Sequence, residues 1–298
     1  MGCDVPRRID LHIHSTASDG SCTPSEILSL AEKLNLGAIA ITDHDTIEGC
    51  VEAIEKGIPA SLQFLTGVEI SSNPPIPLPS SGSLHILGYG IETDNPELNR
   101  ALSILRKARK NRNPEILKRL ESFGIDLSID EIQKKVGTGQ IGRPHIAQAM
   151  LAMGVVKTIN EAFERYLGKD RPAYIDKYRI ACEKAIELIR NADGIPVLAH
   201  PGLIKTGDLK ELKHLVSVLK EMGLMGIEVF YTDHSQNQSV EFQKIALHHD
   251  LLLTGGTDFH GKMLPDIQMG SGRGDMVIPY EIYENLMARL SRHSNHAK

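Results

Sequence analysis

Tryptophan is absent from this chain, and aromatic residues are scarce. They make up only 4% of the 298 residues, which excludes an extended platform on which nucleic-acid bases could stack. The chain also lacks an excess of positive charge. Its formal net charge of −5 argues against sequence-independent binding of long nucleic acid, but it is compatible with a local basic pocket for a small anion.

Cysteine pairs and long apolar runs are missing as well. The cysteines form no C-x-x-C motif and no regular disulfide framework, which is typical of free thiols in a reducing compartment. No run reaches membrane-spanning length, and the N-terminus has no apolar signal segment. We therefore expect a soluble, cytoplasmic protein with no membrane association and no obligate protein partner. The cysteines are Cys3, Cys22, Cys50 and Cys182.

Strand and helix signals alternate along most of the chain. A helix is predicted to begin after Thr23, because Thr23 is a good N-cap, Pro24 suits the first helical position and Glu26 completes a capping box. Asn35 and Gly37 end it. Further helices are predicted over 46–56, 209–222 and 240–249. Strands are predicted over 8–11, 38–42, 64–70, 84–89, 195–199, 226–230 and 251–254.

This alternation predicts an α/β barrel of parallel strands. Residues 1–95 and 184–298 carry it, whereas 96–183 show helical periodicity with almost no strand signal. The basic residues of this middle segment either face solvent as a helical decoration or belong to an inserted helical subdomain that covers the active-site mouth, which is the assignment we adopt. They are Arg106, Lys107, Arg109, Lys110, Arg112, Lys118 and Arg119. The Pro- and Ser-rich stretch 73–83 is predicted to be a surface loop whose role is open.

Histidines and carboxylates come directly after the predicted strands. Because side chains at the C-terminal ends of successive parallel strands converge at one mouth of a barrel, we expect them to form a single site. Nine ligand-type side chains are enough for two or three divalent ions. The clusters are His12-Ile13-His14 with Asp19, Asp43-His44-Asp45, Glu69, Ala199-His200-Pro201 and Asp258-Phe259-His260, with His85 as a further candidate.

The residue types in these clusters indicate a catalytic metal centre. Imidazole suits zinc, iron and manganese, and carboxylate favours manganese and magnesium. A mixed set without cysteine is typical of catalysis rather than of structural zinc. The imidazoles of His12 and His14 share one side if the strand stays extended there. Asp43 and Asp45 either bond to loop backbone or orient His44, and both interpretations stay open.

These motifs, in this order, resemble the PHP (polymerase and histidinol phosphatase) family of phosphoesterases, and the resemblance extends over nearly the whole chain. It implies a distorted (β/α)7 barrel with a trinuclear metal centre. The residues that carry it are Asp10-Leu11-His12-Ile13-His14-Ser15, Thr42-Asp43-His44-Asp45, Gly67-Val68-Glu69, His85, Ala199-His200-Pro201 and Thr257-Asp258-Phe259-His260.

The resemblance also implies how the ligands are shared among three ions, with Glu69 bridging. Many family members have His where this chain has Asp19, and a carboxylate there favours manganese or iron over zinc. We therefore expect two or three divalent ions, manganese first, with iron or zinc as alternatives. The implied sets are His12, His14, Glu69 and Asp258 for the first ion, Asp19, His44 and His260 for the second, and Glu69, His85 and His200 for the third.

Two stretches of the middle segment resemble stand-alone family members that hydrolyse nucleotide phosphates. Enzymes of that branch remove the 3′-phosphate of nucleoside 3′,5′-bisphosphates or trim short RNA from 5′ to 3′, with an Arg-x-His pair on a substrate phosphate. The resemblance implies that Arg143, His145, Lys169 and Arg171 bind a small anionic nucleotide or short oligonucleotide. The nucleophile expected is a hydroxide bridging two metal ions. The stretches are Gly142-Arg143-Pro144-His145 and Tyr166-Leu167-Gly168-Lys169-Asp170-Arg171-Pro172-Ala173-Tyr174.

Two other functions stay open. One is a phosphatase of the histidinol-phosphate type. The other is a catalytically silent, metal-binding module that acts as a scaffold. Silent copies tend to lose ligands, whereas all nine ligand positions are filled in this chain. The native metal, the oligomeric state and the choice between mononucleotide and short RNA also stay open.

Overall fold

The computed structural model describes residues 8–75, 84–136 and 141–296, with side chains to residue 292. Within them, seven strands form a nearly closed barrel in the order β1-β2-β3-β4-β6-β7-β8. Ile13 pairs with Phe259 across the seam between β1 and β8. The expected distorted barrel is therefore confirmed. The strands are β1 (Ile9–Ile13), β2 (Ala38–Ile41), β3 (Gln63–Asn73), β4 (Leu84–Tyr89), β5 (Ile180–Ala181), β6 (Ile195–Leu198), β7 (Gly226–Tyr231) and β8 (Leu252–Gly256).

Helices cover the barrel and build the middle segment. None of the described helices is both long and apolar enough to cross a membrane. A one-turn π-helix over Phe163–Leu167 extends α6. The α-helices are α1 (Pro24–Lys33), α2 (Glu48–Lys56), α3 (Pro96–Glu121), α4 (Ile129–Val136), α5 (Arg143–Ala152), α6 (Ile159–Ala162), α7 (Cys182–Asn191), α8 (Leu209–Glu221), α9 (Gln236–His248) and α10 (Tyr280–His296).

Strand β4 runs against both of its neighbours, whereas the other barrel strands are parallel. The N-terminal end of β4 therefore lies at the same mouth of the barrel as the C-terminal ends of the other strands. His85, near the start of β4, lies opposite Ser71, and Leu87 lies opposite Glu69. The reversal explains why His85 lies near the start of its strand, whereas the other predicted ligands lie within β1 and β3 or after the strands. Residues 76–83 of the predicted surface loop lie outside the described residues.

Helix α3 belongs to two hydrophobic clusters. Leu98, Leu102 and Leu105 pack into the outer layer of the barrel. Ile116 and Leu120, two and six residues beyond Pro114, pack instead into a separate cluster with α4, α5 and the π-helix. The middle segment therefore has its own core and is joined to the barrel by a continuous helix. The division of the chain at residues 96 and 183 stays a prediction.

Helix α10 was not among the predicted helices. It closes the end of the barrel opposite the mouth, where Leu286 is fully buried in one cluster with Ile9 and Leu11 of β1. The predicted helix over 240–249 starts earlier, at Gln236, because Ser235 and Gln238 form a capping box that the prediction overlooked.

Removing the Leu286 side chain should destabilise the protein. Leu286→Ala leaves a cavity in the cluster that α10 shares with β1, so we expect the free energy of unfolding to fall by about 2–5 kcal/mol in urea titrations. Leu247→Ala is the matched control, because Leu247 is 67% exposed. Equal stability of the two variants would show that α10 does not close the barrel.

Candidate metal centre

Three strand ends at the mouth bend through left-handed backbone conformations. Asp45, His200 and Asp258 have φ angles of 55°, 27° and 57°. Such conformations are strained for residues other than glycine and occur where surrounding structure enforces them, often at functional sites. The bends turn the chain immediately after β2, β6 and β8, at the rim of the mouth.

The carboxylate of Glu69 lies at the centre of five imidazoles. Glu69 is only 1% exposed. Burial acts to raise its pKa, but the charges of His44, His85 and His12 outweigh burial and hold the pKa well below its usual range. The nearest imidazole nitrogens are His44 Nδ1 at 2.7 Å, His85 Nδ1 at 2.8 Å, His200 Nε2 at 2.9 Å, His14 Nε2 at 3.4 Å and His12 Nε2 at 3.6 Å.

A second group forms around Asp19. Its Oδ1 lies 3.4 Å from His260 Nε2 and 3.8 Å from His14 Nδ1. The rings of His14 and His260 stack with centroids 4.2 Å apart. Burial and the neighbouring His260 lower the pKa of His14 to about 4, so His14 is held as a neutral imidazole with a free lone pair. His44 completes this group of ligand atoms.

Asp258 joins the two groups. Its Oδ1 lies 3.0 Å from His14 Nε2 and 3.4 Å from His12 Nε2. Tyr231 donates a hydrogen bond of 3.0 Å to the other oxygen, Oδ2, and thereby fixes the carboxylate. The structure thus brings together all nine predicted ligands. Seven of them form overlapping groups whose ligand atoms lie within 4.8 Å of one another, and His200 and Asp258 adjoin these groups through Glu69 and His14.

Five buried ligand atoms of this cluster have no hydrogen bond among the described residues. Nε2 of His12 and Nε2 of His14 face each other at 3.1 Å. Buried polar atoms without a hydrogen bond are costly, and their concentration in one place requires an explanation such as a bound ion. Mixed nitrogen and oxygen donors at these separations fit two or three divalent cations. The unpartnered atoms are Asp19 Oδ1, His44 Nδ1, Glu69 Oε2, His85 Nε2 and His200 Nδ1.

Glu228 is a residue that the sequence interpretation missed. It is fully buried within β7, accepts a hydrogen bond from His12 Nδ1 at 2.8 Å and accepts another from the backbone N–H of His200 at 2.7 Å. The first contact places the proton of His12 on Nδ1 and leaves Nε2 directed at the centre. The signal in the sequence was a lone carboxylate inside the otherwise apolar run 226–230.

Asp43 and Asp45 hold the loops of the mouth. Asp43 accepts hydrogen bonds from the Ser15 backbone and from the hydroxyls of Ser15 and Ser18, at 2.6–2.7 Å. Asp45 accepts from the Ser71 backbone at 2.8 Å and pairs with Arg109 at 2.8 Å. Among the described residues, neither carboxylate is hydrogen-bonded to His44. Of the two open interpretations, these contacts favour loop bonding.

A basic cluster covers the β2 and β3 side of the mouth. Arg109 and Arg112 are only 6% and 7% exposed, so these two residues of α3 do not face solvent. Lys177 donates to Ser71 Oγ at 2.5 Å, and burial and Arg109 lower its pKa to about 7. Burial, Arg143 and Arg109 lower the pKa of Arg112 to about 10. We call Arg109, Arg112, Arg143, Lys177 and Arg179 the basic cluster.

The predicted substrate-binding residues have unequal surroundings. Arg143 begins α5, donates to the Leu167 carbonyl at 2.9 Å and lies over the Tyr174 ring at 5.3 Å. His145 Nδ1 accepts from the Gly142 N–H at 3.0 Å, and Gly142 lies beside Asp19. Lys169 and Arg171, by contrast, are exposed. The part of all four residues in substrate binding stays a prediction.

Comparison with known proteins agrees with this geometry. The profile of the PHP domain matches residues 10–229. This chain belongs to the PHP family. A 3′,5′-nucleoside bisphosphate phosphatase of Chromobacterium violaceum is 31% identical over 285 residues, which are 95% of this chain and 98% of that protein. The 5′-3′ exoribonuclease Rnm of Escherichia coli is 31% identical over 265 residues, 88% of this chain and 87% of that protein.

A solved structure that is similar to this PHP chain supports the family assignment. It is a protein of Bifidobacterium adolescentis classed as a metal-dependent phosphoesterase, with a TM-score of 0.83 and 29% identity. The alignment covers 95% of this chain and 97% of that one. This PHP chain is therefore a metal-dependent phosphoesterase by family, with a barrel that aligns over almost its full length.

Replacing Glu228 should weaken metal binding. Both of its contacts are with donors, and a glutamine has a single acceptor oxygen, so Glu228→Gln must set an amide N–H against His12 or against the His200 backbone. We expect metal affinity to fall by about 10–100-fold, as for other partners of ligating histidines. Chelator competition with metal analysis measures this directly. Glu241→Gln, on the surface, is the control, and equal affinity in both variants would exclude a positioning role for Glu228.

Proposed function

We propose that this chain hydrolyses phosphate monoesters of nucleotides, foremost the 3′-phosphate of nucleoside 3′,5′-bisphosphates. The observation that carries the proposal is the buried basic cluster beside the nine ligands. The relatives named above, which act on nucleoside bisphosphates and on RNA, support it. We further propose that the metal is manganese and that the protein acts in the cytoplasm without an obligate partner.

The nine residues would hold two or three divalent ions as expected from the sequence. Bound divalent ions neutralise phosphate charge and lower the pKa of water. Glu228 and Tyr231 hold His12 and Asp258 in orientation, and the apolar barrel below excludes bulk water. The same ligands would keep the reacting phosphate at the mouth, within reach of the middle segment.

The basic cluster carries more positive charge than its carboxylate partners balance. Arg109 pairs with Asp45 and Arg179 with Asp176, but no carboxylate of the described residues lies within salt-bridge distance of Arg112. The buried Nε atoms of Arg109, Arg112 and Arg179 have no hydrogen-bond partner. Buried cations without partners are unfavourable, and guanidinium groups bind phosphate through paired contacts. A second phosphate of the substrate supplies the missing charge.

The same cluster disfavours the two alternatives. Histidinol phosphate carries an ammonium group on its leaving alcohol, which the cations of the cluster would repel. A catalytically silent scaffold would not require a buried anion site beside a complete set of metal ligands. The bisphosphate therefore fits the described residues better than either.

Metal content and substrate range test the proposal together. After reconstitution with manganese, we expect at least two metal equivalents per chain and release of phosphate from adenosine 3′,5′-bisphosphate, with a much lower kcat/KM for histidinol phosphate. Asp258→Asn should lower kcat at least about a hundredfold, because metal activation supplies several kcal/mol. Asp275→Asn, on the surface, should behave as wild type. One metal equivalent or none, or equal use of histidinol phosphate, would contradict the proposal.

Arg112 should read the phosphate that does not react. A charge-assisted hydrogen bond is worth roughly 1.5–3 kcal/mol, which is about ten- to a hundredfold at 1.4 kcal/mol per decade. In Arg112→Met, the ratio of kcat/KM for the bisphosphate to that for p-nitrophenyl phosphate should fall by this factor. Arg100→Met, exposed on the same helix, should leave the ratio unchanged. Equal loss on both esters would show that Arg112 supports the fold instead.

A further inference from the structure

Lys177 is the one member of the basic cluster that is not an arginine. A guanidinium keeps its proton in proteins, so the four arginines can bind a phosphate but cannot act as acids, whereas a lysine ammonium can release a proton. The imidazoles around Glu69 are metal ligands in the proposed function, and the hydroxyl of Tyr231 already donates to Asp258. Lys177 therefore carries a proton that neither the proposed metal centre nor a carboxylate of that centre uses.

The register of β3 places Lys177 close to the ligand cluster. Ser71 lies two residues after Glu69, so the two side chains share one face of the strand. At about 3.3 Å per residue, Ser71 stands roughly 7 Å beyond Glu69 along the strand. It also lies opposite His85 of β4. Because Lys177 Nζ donates to Ser71 Oγ at 2.5 Å, the amine lies at the rim of the mouth, one step out from Glu69.

The contacts around Lys177 hold its amine in place and leave part of it free. The segment that carries it continues into β5, where Ile180 pairs with Ser72 of β3. Ser71 Oγ donates to Asp45 Oδ2 at 3.1 Å, so its lone pairs are turned to the ammonium. An ammonium has three N–H groups. Within the described part of the chain, Ser71 is its hydrogen-bond partner, and two N–H groups remain for a substrate oxygen.

Lys177 lies at the end of the basic cluster that is nearest to Glu69. Arg109 pairs with Asp45, the carboxylate that also accepts from Ser71. Arg112 follows Arg109 by three residues, one turn farther along α3 toward the core of the middle segment. A substrate that reaches from the ligand cluster to Arg112 would therefore pass Lys177.

The proposed substrate brings its leaving oxygen to this place. Its 3′-phosphate would lie at the ligand cluster and its 5′-phosphate at Arg112, with the ribose between them. O3′ joins the ribose to the reacting phosphate, so it lies on the side of the phosphorus that faces the basic cluster. An alkoxide is a strongly basic leaving group, and a proton supplied as the bond breaks lowers the barrier.

We propose that Lys177 is the general acid that gives its proton to the leaving O3′. The proposal rests on the proposed function and adds to it a residue that touches a reacting atom. A hydroxide formed from water adds to the phosphorus, and the bond from phosphorus to O3′ breaks with its electron pair on O3′. The ammonium of Lys177 then supplies the proton. The proton that the water released returns to the amine through solvent, and the products are a 5′-nucleotide with a free 3′-hydroxyl and inorganic phosphate.

The charges around Lys177 suit this role. Burial, followed by Arg109 and Arg179, lowers its pKa to about 7, while Asp45 and Glu69 act to raise it. A general acid is most effective when its pKa is close to the working pH. An ordinary surface lysine would hold its proton too tightly to release it at this pH.

The dependence of the rate on the leaving group tests the proposal. Lys177→Met removes the proton and keeps an unbranched side chain. Adenosine 3′,5′-bisphosphate and adenosine 3′-monophosphate release an alcohol, whereas p-nitrophenyl phosphate releases a phenol acidic enough to leave as the anion. We expect kcat for both adenosine esters to fall about 10²–10⁴-fold, the usual contribution of a general acid, and kcat for p-nitrophenyl phosphate to stay nearly unchanged.

A second variant separates proton transfer from charge. Lys177→Arg keeps the positive charge and the N–H donors but cannot release a proton. Its KM for the adenosine esters should stay close to that of the wild type, while its kcat stays as low as in Lys177→Met. Lys110→Met is the matched control, because Lys110 is an exposed lysine of α3. Metal analysis should find the same metal content in the wild type and in all variants.

A loss on both adenosine esters in both Lys177 variants, with p-nitrophenyl phosphate and metal content unaffected, supports the proposal. Equal loss on all three esters, or loss of metal, overturns it in favour of a structural role. A loss confined to the bisphosphate shows that Lys177 binds the second phosphate, and recovery of kcat in Lys177→Arg shows that charge alone is needed; either result overturns it. Wild-type protein that releases phosphate from neither adenosine ester would overturn the proposed function, and this proposal with it.

Discussion

The buried carboxylate of Glu69 is the constraint on which the rest of this site depends. An ionised group removed from water is tolerated only when charges and hydrogen-bond donors surround it. Here the surroundings are five imidazoles, supplied by the ends of β1, β2 and β6 and the start of β4, and three of those imidazoles each keep one buried nitrogen without a hydrogen bond. Fold and site are therefore linked, because the carboxylate and the imidazoles must converge for either to be stable.

The barrel meets this requirement through two departures from a regular parallel arrangement. Reversal of β4 places His85 at the mouth from the start of a strand. Left-handed bends at His200 and Asp258 turn their side chains inward where the strands end. The middle segment then adds what a barrel does not need for folding, a set of buried and half-buried cations beside the mouth. We infer that substrate choice lies in this segment and that metal binding lies in the barrel.

Much of this was predictable because strand ends are marked in the sequence by apolar runs followed by His, Asp or Glu. The candidate ligand positions other than His85 were picked out in that way, and the structure brings all nine candidates together, whereas the seven-stranded barrel was implied by the family resemblance. Glu228 was missed because it lies inside an apolar strand, where its role depends on His12, 216 residues away in sequence. Arg109 and Arg112 were ambiguous because a basic run on a helix does not say which face is buried. Helix α10 was missed because its apolar residues find their partners in β1, at the other end of the chain.

The central claim is that these nine side chains hold a multinuclear metal centre around Glu69. Anomalous diffraction from crystals of the manganese-loaded protein tests it most directly. The account predicts two or three peaks at the mouth, with Glu69 shared between neighbouring ions and with His12, Asp19 and His260 among the ligands. A single peak, or peaks that Glu69 does not touch, would contradict it.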